Sequence, residues 1–224
     1  MNAPIFAIGG GGFLMDETSG LQERWLLAAL GPRPRVVYVG TAMGDSERNR
    51  LRFLEHFLGL GCDATTLPFF PYQMHRDYAA TVAEADLVYV GGGNTVAMLA
   101  VWREFGFDQA LHAAWQGGTA LAGISAGANC WFEHYVTDSV PGGGVRAGLG
   151  WIPGTFCPHL DGEPWRQPIA ESAPDTPVFA APDGVIVRFE GGRAVEAVTS
   201  RTGLAARVRT DGGLEPMATR LLVP

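Results

Sequence analysis

A chain of 224 residues that is 47% hydrophobic and 17% charged is long enough to bury a full core, and it reads as a single domain over residues 1–224. Its net charge of −7, with no clustering of basic residues, excludes the basic face that a nucleic-acid partner requires. No window approaches the roughly 18 apolar residues of a membrane span. Met1 to Gly12 lacks the basic and apolar regions of a secretory leader. Cys62, Cys130 and Cys157 are odd in number and show no CxxC spacing, so neither a disulfide framework nor a metal site is expected and a reducing, cytoplasmic setting follows.

In chain order, short apolar runs alternate with helical patterns. Strands are predicted at Ile5 to Ile8, Val36 to Val39, Ala64 to Leu67 and Leu87 to Val90. Helices are predicted near Leu21 to Leu30, Glu47 to Leu58, Tyr78 to Ala83, Thr95 to Arg103 and Asp108 to Trp115. The segment Phe69 to Tyr72 reads as a loop. Val-Val-Tyr-Val and Leu-Val-Tyr-Val are apolar at every position, the texture of central parallel strands covered by helices on both faces. The fold class that follows is α/β, a doubly wound and mostly parallel sheet. After His159, runs at Gly184 to Phe189, Ala194 to Val198 and Leu204 to Val208 are expected to be antiparallel strands closing one edge.

The next strand, Thr119 to Ala122, leads into Gly123-Ile124-Ser125-Ala126-Gly127, and a helix is expected to start at Ala126. Gly-x-Ser-x-Gly between strand and helix is a nucleophile elbow: the flanking glycines allow a sharp turn that thrusts the serine outward. A serine hydroxyl needs a base within hydrogen-bond reach, and the base needs an orienting acid. If a helix continued from Ala128 to His134, a rise of ~1.5 Å per residue would carry His134 on the order of 13 Å from Ser125. His56 and His112 fall within helical patterns that suit solvated or capping roles, and His75 lies in a loop without a partner motif. His159, in Phe156-Cys157-Pro158-His159-Leu160-Asp161-Gly162, leaves a short strand where sites of parallel sheets gather, and it is the expected base. Asp183 in Ala181-Pro182-Asp183-Gly184 is preferred as the acid and Asp138 is held in reserve. Asp161 and Glu163 are so near His159 that capping the turn suits them better.

An attacked carbonyl becomes an oxyanion and needs N–H donors already aimed at it. Ala126, after the nucleophile, is one expected donor, and the glycine turn Gly91-Gly92-Gly93-Asn94-Thr95 is the source of the second. A competing reading makes this turn, together with Gly9 to Gly12, a phosphate cradle in a nucleotide-binding protein. Neither loop reads G-x-G-x-x-G, no acidic residue closes the strand near Val39, and no Walker sequence is present, so no cofactor is expected.

Taken together, Val90-Gly91-Gly92-Gly93-Asn94-Thr95, Gly123-Ile124-Ser125-Ala126-Gly127-Ala128, Cys157-Pro158-His159 and Pro182-Asp183-Gly184 resemble the peptidase E family of serine peptidases, which includes aspartyl dipeptidase and, more distantly, cyanophycinase. The likeness runs to about Phe189. It implies a fold similar to class I glutamine amidotransferases, with Ser125 as nucleophile, His159 as base, Asp183 as third member, and Gly93 and Ala126 as oxyanion donors. Aspartyl dipeptidase carries glutamate where this chain has Asp183, which implies a slightly displaced turn here. In that enzyme a loop after the histidine binds the substrate aspartate through basic groups. The matching loop, Asp161-Gly162-Glu163-Pro164-Trp165-Arg166, is shorter and more acidic. Arg166 either pairs with a substrate carboxylate or balances Asp161 and Glu163, and Asp161 or Glu163 is offered for a substrate α-amine, with Asn94 a further binding candidate. The chain order Ser, His, Asp differs from that of α/β-hydrolases. The expected function is hydrolysis of small peptides through an acyl-enzyme, on Asp-X dipeptides by family likeness. The alternatives are an amide hydrolase of other specificity, such as β-aspartyl linkages, or a catalytically silent small-molecule binder. The sequence leaves a homo-oligomer open.

Overall fold

The computed structural model describes residues 2–15, 19–70, 77–173, 177–210 and 213–223. His75, Tyr72 and the rest of that loop beyond Phe70 lie outside the described residues. The first half of the chain is βα punctuation: β1 (Ile5–Ile8), α1 (Leu21–Leu27), β2 (Arg35–Val39), α2 (Glu47–Gly59), β3 (Asp63–Thr66), α3 (Tyr78–Ala83), β4 (Leu87–Val90), α4 (Thr95–Glu104), α5 (Phe107–Gly117), β5 (Ala120–Ile124) and the short α6 (Ala126–Asn129). The second half is mostly strand: β6 (Phe132–Thr137), β7 (Gly144–Ala147), β8 (Ile152–Pro158), α7 (Arg166–Ser172), β9 (Val178–Ala181), β10 (Val185–Glu190), β11 (Arg193–Thr199), β12 (Arg207–Thr210), β13 (Gly213–Pro216) and β14 (Thr219–Leu221).

The larger sheet has the order β14-β11-β10-β1-β5-β4-β2-β3, and its run from β1 to β3 is parallel. Strands β1, β4 and β5 are buried at every position because both faces are covered. Phe6, Ile8, Tyr38 and Tyr89 pack on one face with Leu26 of α1 and Phe53 and Phe57 of α2. Ala7, Val37, Val39 and Val88 pack on the other with Val82, Met98, Trp102 and Leu111. Each fully buried side chain of this size contributes about 1.5–3 kcal/mol, which is why these strands fix the scaffold.

A second sheet, ordered β13-β12-β9-β8-β6-β7, was not expected. The helix after Ser125 ends at Asn129, and His134 stands in β6, opposite Ala147 and Thr155. The strands β10 and β11 close the edge of the larger sheet antiparallel, as expected, but the run at Leu204 to Val208 does not join them. Its strand β12 pairs with β9 instead, and β14, parallel to β11, takes the edge. The physical reason is Arg209, whose guanidinium donates to the carbonyls of Ala170, Glu171 and Ala173 at the end of α7, groups the helix itself leaves unpaired. Aromatic rings join the two sheets: Phe132 stacks on Phe156 at 4.9 Å, and Phe189 of β10 meets Phe132 at 5.3 Å and Phe179 at 5.0 Å. No helix among the described residues is long and apolar enough to cross a membrane.

Candidate active site

The site lies where β5 of the larger sheet meets the carboxyl ends of β8 and β9. Ser125 follows β5 directly and takes φ 53°, ψ −112°, a conformation an L-residue holds only when its surroundings force it. The forcing is close packing. A Cβ on Gly123 would strike the Gly127 carbonyl, and one on Gly127 would strike the Val90 carbonyl, so both flanking positions must be glycine for the turn to close. The Ser125 N–H donates to the Ile8 carbonyl at 3.0 Å, while its own carbonyl accepts from Ala128 and Asn129 to start α6.

His159 is the first residue past β8 and Asp183 the second past β9, and these neighbouring strands are parallel with Pro158 opposite Ala181. His159 also sits at positive φ, 54°. Its Nε2 lies 2.8 Å from Ser125 Oγ and its Nδ1 2.6 Å from Asp183 Oδ1, with the histidine and aspartate side chains only 15% and 16% exposed. The hydrogen bond from the imidazole holds the Asp183 carboxyl below the usual carboxylate range, against the opposing effect of burial. The Asp183 N–H donates to Asp161 Oδ1 at 3.0 Å, and the Glu163 N–H to the His159 carbonyl at 3.0 Å, so the turn after His159 caps itself. Cys157, two residues before His159, is no rival nucleophile: burial pushes its thiol up to about 12.

Gly10 is a residue to which the sequence assigned no role once the phosphate-cradle reading of Gly9 to Gly12 was set aside. It pairs with Asp183 in a parallel bridge that ties the two sheets, and a Cβ there would overlap Asp183 Oδ1 and lie 2.8 Å from His159 Cε1. Glycine is required so that a loop of the larger sheet can pass directly behind the carboxylate. The glycine run after β1 signalled close approach, but not to which residue. Phe13, past that run, is held by Glu23, whose Oε1 accepts the Phe13 N–H at 3.1 Å. Glu23 is 1% exposed and its Oε2 lies 3.6 Å from His56 Nε2, and the His56 ring, 21% exposed, stacks on Phe13, so His56 is half-buried against this wall and not a freely solvated residue. His112 packs against Trp115 and Trp151.

The turn Gly91 to Gly93 faces Ser125 across the cleft: a Cβ on Gly92 would stand 3.3 Å from the serine Cβ and 3.8 Å from its Oγ. The N–H groups of Gly92, Gly93 and Ala126 have no acceptor among the described residues. Asn94, by contrast, is fully engaged. Its Oδ1 caps α4 by accepting from Ala97 at 2.9 Å, and its Nδ2 donates to the Ser139 carbonyl at 2.9 Å. With Ser139 Oγ accepting from Thr95 at 3.0 Å, the helix end is closed to a phosphate. Arg166 is 4% exposed, donating to Glu163 Oε2 at 2.7 Å and the Val136 carbonyl at 3.0 Å, with Asp138 at 3.6 Å. It balances Glu163 and Asp138, not Asp161, and does so inside the fold. Asp138 is 66% exposed and pairs with Arg166, while the His159 imidazole takes Asp183 as its carboxylate partner.

The cleft in front of Ser125 has a volume of about 270 Å³ and is lined by Leu14, Met15, Met43, Asn49 and Ile124 beside the glycines and His159. Sequence reasoning missed these walls, because Leu14, Met15 and Met43 come from short turns after β1 and β2 that carry no motif, and Asn49 from the first turn of α2. Among the described residues no three His, Cys, Asp or Glu side chains group as metal ligands.

The profile of Peptidase family S51 matches residues 5–197. The chain is 39% identical over 207 residues to the uncharacterized peptidase YgaJ of Bacillus subtilis (strain 168), covering 90% of both chains. It is 33% identical over 192 residues to a peptidase E of Streptomyces coelicolor, covering 77% of each. A crystal structure of a peptidase from an acI-B1 Actinobacterium shares the fold, with a TM-score of 0.65 at 20% identity over 97% of this chain and 98% of that one.

Proposed function

From the premise that the chain belongs to Peptidase family S51 and is a peptidase, we propose that it is a serine-type enzyme hydrolysing small peptides through an acyl-enzyme. The observation that carries this reading is the bridge made by one imidazole, Nε2 at 2.8 Å from Ser125 Oγ and Nδ1 at 2.6 Å from Asp183. Ser125 Oγ attacks the scissile carbonyl while its proton passes to His159 Nε2. Asp183, accepting from Nδ1–H, fixes the tautomer that leaves Nε2 free to act as base, and stabilises the imidazolium that forms. The Gly93 and Ala126 N–H groups take the oxyanion, and the adjacent Gly92 lets the substrate come close to the serine. The imidazolium then protonates the leaving amine, and water, deprotonated by the same nitrogen, releases the acid and restores Ser125. No metal or organic cofactor enters these steps. The free cysteines Cys62, Cys130 and Cys157 support a cytoplasmic site of action.

Asp-X dipeptides, the substrates of the aspartyl dipeptidase that the sequence resembles, are one arm of the test, although Arg166 is held by Glu163 and Asp138. The experiment compares wild type with Ser125→Ala on Asp-X, Glu-X, apolar X-X and β-aspartyl dipeptides. Hydrolysis in any arm that vanishes in the variant supports the serine reading. Hydrolysis that survives unchanged in Ser125→Ala overturns it.

A further inference from the structure

The cleft before Ser125 is built from apolar side chains. Leu14 and Met15 come from the turn after β1, Met43 from the turn after β2, and Ile124 is the residue before the nucleophile. Asn49 is its single polar side chain apart from Ser125 and His159 among the described residues, and no charged side chain lines it there. Met15 and Met43 are large and 46% and 54% exposed, apolar surface that water wets until a ligand covers it.

The wall is fixed from behind. Glu23 holds the Phe13 N–H, and Arg52 of α2 turns its guanidinium to the Leu14 carbonyl at 3.4 Å. Arg52 thus supports the main chain of this wall, and its charge does not line the cleft. At about 270 Å³ the cleft lies at or below the low end of the roughly 300–1,000 Å³ of small-molecule sites, which suits one side chain with its own backbone.

Resting on the serine-peptidase reading above, we propose that this cleft receives the side chain of the residue whose carbonyl Ser125 attacks, and that it selects an apolar side chain of the size of leucine or methionine over aspartate. A carboxylate entering there gives up its water and meets no cation among the described residues in exchange. An apolar side chain loses nothing polar and covers Met15 and Met43, whose unbranched thioethers adjust to its shape. Hydrophobic pockets discriminate by tens-fold to a few hundred-fold per small group, so the preference for leucine over aspartate is expected to be at least about tenfold in kcat/KM.

The test pairs two readouts on the full chain. One is kcat/KM on Leu-X, Met-X and Asp-X dipeptides. The other is the rate at which diphenyl phosphonates carrying leucine or aspartate side chains, which lose phenol as the serine oxygen bonds to phosphorus, label wild type and Ser125→Ala, followed by intact mass. Faster labelling and hydrolysis with leucine, reduced at least tenfold or inverted in Met43→Arg or Met15→Arg, is the expected result. Ser125-dependent reaction that favours aspartate overturns the apolar subsite and leaves the serine mechanism standing. A leucine preference unmoved by both arginine variants overturns the assignment of the cleft. No labelling by either phosphonate, with hydrolysis that persists in Ser125→Ala, overturns the serine reading and this inference with it.

Discussion

The two sheets contribute to the site from different kinds of structure. The larger sheet brings Ser125 and the backbone N–H groups to the ends of β4 and β5, strands buried at every residue. The smaller sheet brings His159 and Asp183 from β8 and β9, which are buried at every position but Pro153, so that the two residues leave firm strands but of a different sheet. Packing on two faces therefore determines where the serine stands. The histidine and aspartate depend on a junction: the Gly10–Asp183 bridge, the positive φ of His159, and the phenylalanine cluster between the sheets. Changes at the elbow should remove the chemistry, while changes at the junction should misplace it by degrees.

The sharpest division is expected at the reacting groups. Ser125→Ala and His159→Ala should each lower kcat by about a million-fold, and the double variant should be no worse, because the two act as a unit. Additive losses in steady-state kinetics would separate the serine from the histidine and break the proposed relay. Asp183→Ala should cost less, about ten-thousand-fold, since Ser125 keeps a base that is merely disoriented. Gly10→Ala, which touches no substrate, tests the junction alone. Its Cβ overlaps Asp183 Oδ1, and a displacement of about an ångström should lower kcat roughly a hundred-fold with the fold intact by circular dichroism. Wild-type kinetics in that variant would show that the junction tolerates movement.

Smaller effects follow from charge. The folded-state pKa of Asp183 is depressed, so its ionised form adds stability above the ordinary carboxylate pKa of about 3.9, and that increment is lost as pH falls through the lower folded value. Urea midpoints of wild type and Asp183→Asn should therefore differ by a constant amount above about pH 5, and the difference should shrink below pH 4. A difference that grows on acidification would reverse the sign of this assignment. Asp138→Ala should leave kcat within about twofold, because that carboxylate is exposed and faces Arg166, and exposed ion pairs are worth about 0–1 kcal/mol.

The same contrast decides what could be read from the chain. Strands such as Val36 to Val39 and Leu87 to Val90 declare themselves by being apolar throughout, and the elbow by glycines whose Cβ atoms would collide with carbonyls. His159 and Asp183 were legible as residues leaving strands, but their meeting depends on β8 and β9 being parallel neighbours, a pairing across separated segments that no local pattern encodes. The sheet of β6 to β9, β12 and β13 was illegible for that reason, and Leu204 to Val208 was assigned to the wrong edge because the carbonyls that draw in Arg209 belong to a distant helix. Asn94 shows the opposite case. An asparagine before a helix is a capping signal in itself, and the binding role assigned to it ignored the Ala97 N–H that it caps. Burial of Arg166 was hidden because sequence shows a charge without showing what surrounds it, although Glu163, three residues earlier, was its partner.

The bridge between Gly10 and Asp183 also has a consequence in time. Synthesis runs from the amino end, and folding units form as they emerge. The serine, its elbow and the N–H groups around it leave the ribosome before His159 and Asp183 are translated, and before β10, β11 and β14, three strands of the same sheet. A chain interrupted before His159 holds the elbow serine without the imidazole and carboxylate that the proposed mechanism places beside it. On the proposed mechanism, activity is expected to appear only once the late strands have docked and the whole molecule has closed.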